Sequence, residues 1–199
     1  MGGVVLTGVR VVVRLASAAD VPSIVAYYRR NRRHLARWEP VRPRAFYTLA
    51  HWKKQVRTNR SEWRVGRSLR MFLFERSRPR RVIGSVNLSN IVRGVFHACH
   101  LGYSLDGESQ GRGLMTEALR LAMAHAFGEM NLNRAMANYI PRNRRSARLL
   151  RRLGFRGEGR ARHYLLIDGR WEDHVLTSRI HTGWRPQEAR PEARPGTRR

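Results

Sequence analysis

Of the 199 residues in this chain, the nine that read Gln110-Gly-Arg-Gly-Leu-Met-Thr-Glu-Ala118 are the most plainly suited to chemistry. Gly111 and Gly113, one residue apart, let a backbone turn tightly and approach a ligand with no Cβ in the way. A short apolar run, Leu101-Gly-Tyr-Ser-Leu105, precedes them, and Leu119, Met123, Ala126, Phe127 and Met130 follow at helical spacing. The order is strand, glycine loop, helix. The loop therefore hands over the unpaired N–H groups and positive dipole end of that helix, a combination that binds phosphate. Two commoner phosphate patterns do not fit. G-x-x-x-x-G-K-[ST] is absent, and G-x-G-x-x-G fails because Thr116 stands where its third glycine belongs.

A second stretch, Asn143-Arg-Arg-Ser-Ala-Arg-Leu-Leu-Arg-Arg-Leu-Gly-Phe155, carries Leu149, Leu150 and Leu153 as an inward stripe and stops at Gly154. Asn143 suits the N-cap, and Ser146, one turn on, shares roughly its face. Glu158 and His163 offer groups able to accept a proton, while Asp173-His174 reads equally well as a structural pair. Cys99, the only cysteine, has no base recognisably paired with it and reads as a buried strand residue, not an acyl carrier. The eight histidines show no ligand spacing, so no metal is expected.

These residues must be positioned by the rest of the chain. Arg10 to Leu15 reads as a strand, with Val4 to Leu6 as an edge strand before it. Ser17 or Asp20 then caps a helix with Pro22 in its first turn and Val21, Ile24, Val25 and Tyr28 as its apolar stripe. His34 to Pro40 breaks that pattern, and Phe46 to Val56 resumes it through Leu49, Trp52 and Val56. Leu69 to Glu75 and Val82 to Leu88 read as strands around a turn at Arg76 to Arg80. Gly94 to Leu105 leads by strand into the glycine loop, and Arg134 to Tyr139 makes a strand that ends at Pro141. Ala161 to Ile167 and His174 to Ile180 form a hairpin through Asp168-Gly-Arg170. Strand, helix, strand around the loop predicts a right-handed parallel crossover, and the short turns elsewhere predict antiparallel pairs, so the sheet is mixed. Residues 1–182 read as one domain; Pro, Arg and Glu without periodicity make 183–199 a disordered basic tail.

The charge is extreme: 40 basic residues, all arginine except Lys53 and Lys54, against 14 acidic ones give +26. Such a field favours polyanions, RNA and the ribosome among them. One cysteine allows no internal disulfide or cysteine zinc cluster and suits a reducing cytoplasm. The apolar start is interrupted by Gly8 and Arg10, and Leu6 stands where a myristoylation signal needs Ser or Thr, so a soluble protein without membrane attachment is expected.

Taken together, the glycine loop, Asn143-x-x-Ser146 with Leu153-Gly-Phe155, and Tyr164-Leu-Leu-Ile-Asp-Gly-Arg-Trp-Glu-Asp-His-Val-Leu176 resemble the GNAT acyl-CoA transferases. With His34-Leu-Ala-Arg-Trp-Glu-Pro40 added, the pattern is similar to the RimJ and RimL type of ribosomal-protein N-terminal acetyltransferases, RimJ above all, over roughly residues 9 to 182. The resemblance implies an α+β fold, a mixed and mostly antiparallel sheet flanked by helices and splayed at the acetyl-CoA cleft. It implies that acetyl-CoA lies between the strands Leu101 to Leu105 and Arg134 to Tyr139. Leu101, Gly102, Tyr103, Ser104 and Leu105 would meet the pantetheine; Gln110, Gly111, Arg112, Gly113, Leu114, Met115 and Thr116 would wrap the pyrophosphate; Asn143 would reach the thioester end. Trp38, Glu39, Pro40 and Tyr164 would frame the peptide. Two positions depart from the pattern. Met115 fills a small position and must point into the core, and Leu150 replaces the tyrosine that many GNAT enzymes use as general acid.

The implied reaction is acetyl transfer to the N-terminal α-amine of a small-subunit ribosomal protein beginning with Ala or another small residue. Such an amine, with a pKa of about 7.7 to 8.0, is roughly a tenth neutral at neutral pH, so little base strength is needed and direct attack in a ternary complex suffices. Ser146 is the hydroxyl nearest the departing thiolate by analogy; His163, with Glu158 second, is the candidate base. The rival readings are a GNAT enzyme acting on a small-molecule amine and, more remotely, an RNA-binding module, although no RNA motif is recognisable.

Overall fold

The computed structural model describes residues 3–186. Eight strands form one sheet: β1 (Val5–Thr7), β2 (Val11–Leu15), β3 (Leu69–Glu75), β4 (Arg78–Val92), β5 (Ala98–Leu105), β6 (Arg134–Met136), β7 (Arg156–Ile167) and β8 (Arg170–Ile180). Their order is β1-β2-β3-β4-β5-β6-β8-β7. Only β5 and β6 run parallel, as a crossover through an intervening helix requires. The helices are α1 (Val21–Arg30), α2 (Arg32–Ala36), α3 (Leu49–Arg64), α4 (Leu114–Phe127) and α5 (Arg144–Arg152).

β3 explains the layering. After Arg70 it reads Met-Phe-Leu-Phe, because both of its faces are buried. Leu69, Met71 and Leu73 enter a core with Leu114, Leu119 and Met123 of α4 and with Leu150 and Leu153 at α5. Phe72 and Phe74 enter a second core with Ile24 and Tyr27 of α1, Leu35 of α2, and Trp52 and Val56 of α3. Trp52 stacks on Tyr28 at 4.9 Å and donates its indole N–H to the Phe46 carbonyl at 2.8 Å, so its one polar atom is satisfied in the interior.

Several boundaries differ from the sequence reading. His34-Leu-Ala belongs to α2, where the spacing predicted a break; Asn31 ends α1 by donating its side-chain amide to the Tyr27 carbonyl, and the Leu35 N–H returns to the Asn31 carbonyl. Five residues are too few to show a period. The turn between β3 and β4 is only Arg76-Ser77, and the register then shifts from Glu75↔Arg78 to Phe74↔Val82, which accommodates Pro79, a residue with no N–H for the ladder. β6 ends at Met136, and Tyr139 bridges only to Val175. The Asp168-Gly169 turn has φ of 48° and 76°, the left-handed pair that a two-residue hairpin needs. Ordered contacts continue past 182: Trp184 donates its indole N–H to the Asn131 carbonyl at 3.0 Å and packs against His97 at 5.0 Å. Residues 187–199, most of the expected tail, lie outside the described residues. Among the described residues, no helix is long and apolar enough to cross a membrane.

Candidate active site

The site begins where a pair of strands comes apart. β5 and β6 are in register at Ala98↔Arg134, Cys99↔Ala135 and His100↔Met136, and no further. Beyond Met136 the chain turns to β8, with the Ala137 N–H on the Thr177 carbonyl at 2.9 Å and Tyr139 exchanging bonds with Val175. β5 meanwhile stays paired to β4 from Leu101↔Leu88 to Leu105↔Gly84. Its other edge, from Leu101 to Leu105, faces a gap with a row of backbone donors and acceptors that demand partners.

At the end of that edge lies the glycine loop. Gly111 and Gly113 both adopt the left-handed region, at φ 78° and 75°, and Gly113 caps α4. A Cβ on Gly111 would meet only open space, whereas one on Gly113 would come 3.2 Å from the Arg10 guanidinium. Leu114, Met115 and Thr116 bury their side chains, Met115 in the core as its place in the pattern required, so the loop presents backbone N–H groups outward. The Arg112 side chain turns away, 2.6 Å from the Glu75 carboxylate.

Residues that the sequence reading gave no part in the site hold the loop. Arg10 gives its backbone N–H and Nε to the Glu117 carboxylate at 2.8 and 3.0 Å and its Nη1 to the Arg112 carbonyl at 2.8 Å. Burial pushes the Glu117 carboxyl up, but the N–H groups of Arg10 and Val11 and the guanidinium outweigh it and hold the group below its ordinary value. Gly8 makes room, since a Cβ there would lie 2.4 Å from Glu117 Oε1. On the other side, Gln110 has its amide nitrogen 3.0 Å from His34 Nε2 and its amide oxygen bonded by Arg145. Glu117 in the first turn of α4 suits the helix dipole by itself, so nothing local marked Arg10, His34 or Arg145 as the partners of the loop.

Across the gap, Tyr103 of β5 and Ser146 of α5 share a hydrogen bond of 2.5 Å between Oη and Oγ. Burial pushes the Tyr103 phenol up to about 12 against the opposing Ser146 bond. Asn143 accepts the Ser146 N–H at 3.1 Å, a true N-cap that leaves its amide NH₂ as a donor. Leu150 is buried in the core, so no side-chain hydroxyl comes from that position. Cys99 is fully buried and its thiol is pushed up to about 12 by that burial, which denies it a thiolate at neutral pH.

The two surfaces expected to frame a peptide meet each other. The Glu39 carbonyl accepts the Asp168 N–H of the hairpin turn at 3.1 Å. Arg142 lies 5.8 Å from the Trp38 ring centroid and 2.5 Å from the Glu172 carboxylate. Tyr164 accepts an N–H from Asn138, just past β6, at 3.2 Å. Pro40 and Glu39, with Tyr28, Phe46, Tyr47 and Asp168, line a cavity of about 170 Å³. Burial raises the Glu39 carboxyl there, against the pull of Arg42.

The two candidate bases are not brought to Ser146. The Glu158 carboxylate accepts from Ser178 and Arg134, both at 2.6 Å, and these bonds hold it below its ordinary value. Arg134 stands opposite Ala98, at the closed end of the β5–β6 pair, so the Glu158 carboxylate, expected as the second choice of base, is held there in an ion pair. His163 is exposed at φ 46° on an irregular stretch of β7, its backbone N–H held by Asp173 at 3.0 Å.

The geometry is matched by relatives. Residues 10–156 match the model of the acetyltransferase (GNAT) domain. The chain is 44% identical over 181 residues to the [ribosomal protein uS5]-alanine N-acetyltransferase of Escherichia coli, covering 91% of this chain and 93% of that protein. Its structure superposes on a ribosomal-protein-S5-alanine acetyltransferase from Vibrio fischeri with a TM-score of 0.88 and 43% identity, over 92% of this chain and all of that one. Mycobacterium smegmatis RimJ in complex with CoA-disulfide follows at 0.81 and 28%, over 89% and 85% of the two chains. An open sheet split beside a glycine loop, with a family model that spans both, shows that the chain belongs to the GNAT acetyltransferase family.

Proposed function

We propose that this enzyme transfers the acetyl group of acetyl-CoA to the N-terminal α-amine of a small-subunit ribosomal protein that begins with Ala or a similarly small residue, in the cytoplasm. The observation that carries the reading is the 44% identity, over nearly the whole of both chains, with an enzyme named for acetylating the alanine of uS5. The site supports it. The loop backbone from Gln110 to Thr116 suits a diphosphate, the edge Leu101 to Leu105 suits an amide-bearing pantetheine, and the Asn143 NH₂ points the assignment of the thioester to the start of α5.

On this reading the neutral α-amine attacks the thioester carbon, backbone N–H groups of β5 stabilise the oxyanion, and the C–S bond breaks. The departing thiolate takes the Ser146 hydroxyl proton as Ser146 takes that of Tyr103, and solvent returns a proton to the phenol. Tyr103 supports this step: a phenol is the better donor of the pair, so it donates to Ser146 Oγ and leaves the serine proton for sulfur. The amine needs only a weak acceptor for its proton, and exposed His163, reached through water, is the residue assigned to it. Trp38, Glu39, Pro40 and Tyr164 form the wall that receives the peptide. Polyamines, the opposing class of acceptor, are repelled by a chain of +26.

Intact-mass spectrometry of ribosomal proteins from cells with and without the gene tests the proposal. One small-subunit protein should lose the mass of an acetyl group from its N-terminus in the deletion strain. Unchanged ribosomal masses, with acetylation of a free small amine in vitro, would overturn it.

A further inference from the structure

The helix that carries Ser146 has a second face. In α5, Arg144, Arg145, Arg148, Arg151 and Arg152 are all exposed. At 3.6 residues per turn these five fall within an arc of roughly 120°, while Ser146, Leu149, Leu150 and Leu153 occupy the opposite side. Among the described residues, none of the five lies within ion-pair distance of a carboxylate; only Arg145 has a polar partner, the neutral amide of Gln110.

Arg151 and Arg152, in the last turn, suit the negative end of the helix dipole, but folding gives no reason for the rest of the arrangement. Arg144 with Arg148, and Arg148 with Arg152, stand four apart, where like charges oppose the helix. Arg144 and Arg145 sit in the first turn, at the positive end of the dipole, where cations are disfavoured. The face gains when a polyanion lies against it.

We infer that the arginine face of α5 is a docking surface for the phosphate backbone of RNA, and that it seats the enzyme on ribosomal RNA with the cleft turned to a neighbouring protein N-terminus. A helix face about 12 Å long, set with planar guanidinium forks, suits successive phosphates and reads no sequence. The tie to the reaction is structural: Ser146, on the same helix, bonds Tyr103 across the gap, and Arg145 bonds the glycine loop, so whatever the face grips is held beside the cleft. The choice of RNA over another polyanion rests on the ribosomal-protein reading above.

The test spares Arg144 and Arg145, which border the loop, and uses Arg148→Gln/Arg151→Gln/Arg152→Gln. A charge-matched control, Lys53→Gln/Lys54→Gln/Arg57→Gln, changes three exposed cations of α3. Binding of a fluorescein-labelled 20-base-pair duplex RNA is followed by anisotropy as salt is raised. The α5 variant should bind at least about tenfold more weakly at low salt, with the slope of log K against log salt smaller by about two to three, as loss of three phosphate contacts requires. The control should bind as the parent does, and both variants should acetylate an Ala-initiated peptide at the parental kcat/KM. Equal losses in the two variants would reduce the effect to net charge and overturn the proposal. So would an unchanged slope, a raised KM for acetyl-CoA with RNA binding intact, or displacement of the RNA by polyglutamate at equal charge concentration, which would point to an acidic protein. Failure of every form to acetylate the peptide would strike the functional reading instead, because the anisotropy measurement needs no turnover.

Discussion

Ser146 is placed by two residues distant in character: Asn143, three positions back, fixes its backbone, and Tyr103, on another element, takes hold of its hydroxyl. If that pair protonates the leaving thiolate, Ser146→Ala should lower kcat on an Ala-initiated peptide by about a hundredfold, the usual range for a general acid, with KM for acetyl-CoA little changed. Tyr103→Phe should cost less, and the double variant no more than Ser146→Ala alone, because the two act in series. The parental rate should rise with pH as the α-amine loses its proton, near about 8, and then stay level, since a phenol at about 12 keeps its proton throughout that range. Additive losses, or an alkaline fall well below 12, would separate Tyr103 from the chemistry. The sequence showed Ser146 as a candidate through its spacing from Asn143, but it left the tyrosine question open at Leu150. On the proposed reading the answer lies on β5, 43 residues earlier than Ser146, and no local pattern links positions so far apart.

At the scale of elements, the strand, glycine loop and helix were legible because each needs only its own residues: alternation or apolar runs, two glycines, and a 3.6-residue period. Gly111→Glu tests what that unit does. On the proposed reading it puts a carboxylate into the open space where the phosphates would lie and an L side chain at φ 78°, so calorimetry should show acetyl-CoA binding abolished while circular dichroism remains that of the parent. Some stability, about 1 kcal/mol, should also go with the strained φ. Retained binding by the folded variant would remove the loop from the cofactor site. What holds the loop was illegible, since Arg10 and Glu117 are 107 residues apart and meet only because β2 and α4 pack together. The setting of Glu158 was illegible for the same kind of reason: Arg134 and Ser178, which bond its carboxylate, come from two other strands.

For the molecule as a whole, the end of the fold is a question of stability. Trp184 closes the end of the sheet over His97 and Asn131, so truncation after Thr182 should lower the urea midpoint by an amount equivalent to about 1 to 2 kcal/mol, the value of a partly buried large side chain. Truncation after Pro186 should leave both midpoint and peptide turnover at parental values; a loss of turnover there would show that the final residues reach the site. Composition, charge, the order of the strands and longer helices and the mixed sheet followed from the sequence alone, because they depend on propensities and periods that each segment carries within itself. The point at which β5 parts from β6, after His100, the Tyr103–Ser146 bond, the Arg10 clamp and the ion pair of Glu158 were decided only in three dimensions. Each depends on which distant groups reach hydrogen-bonding distance, and packing, not local pattern, sets that distance.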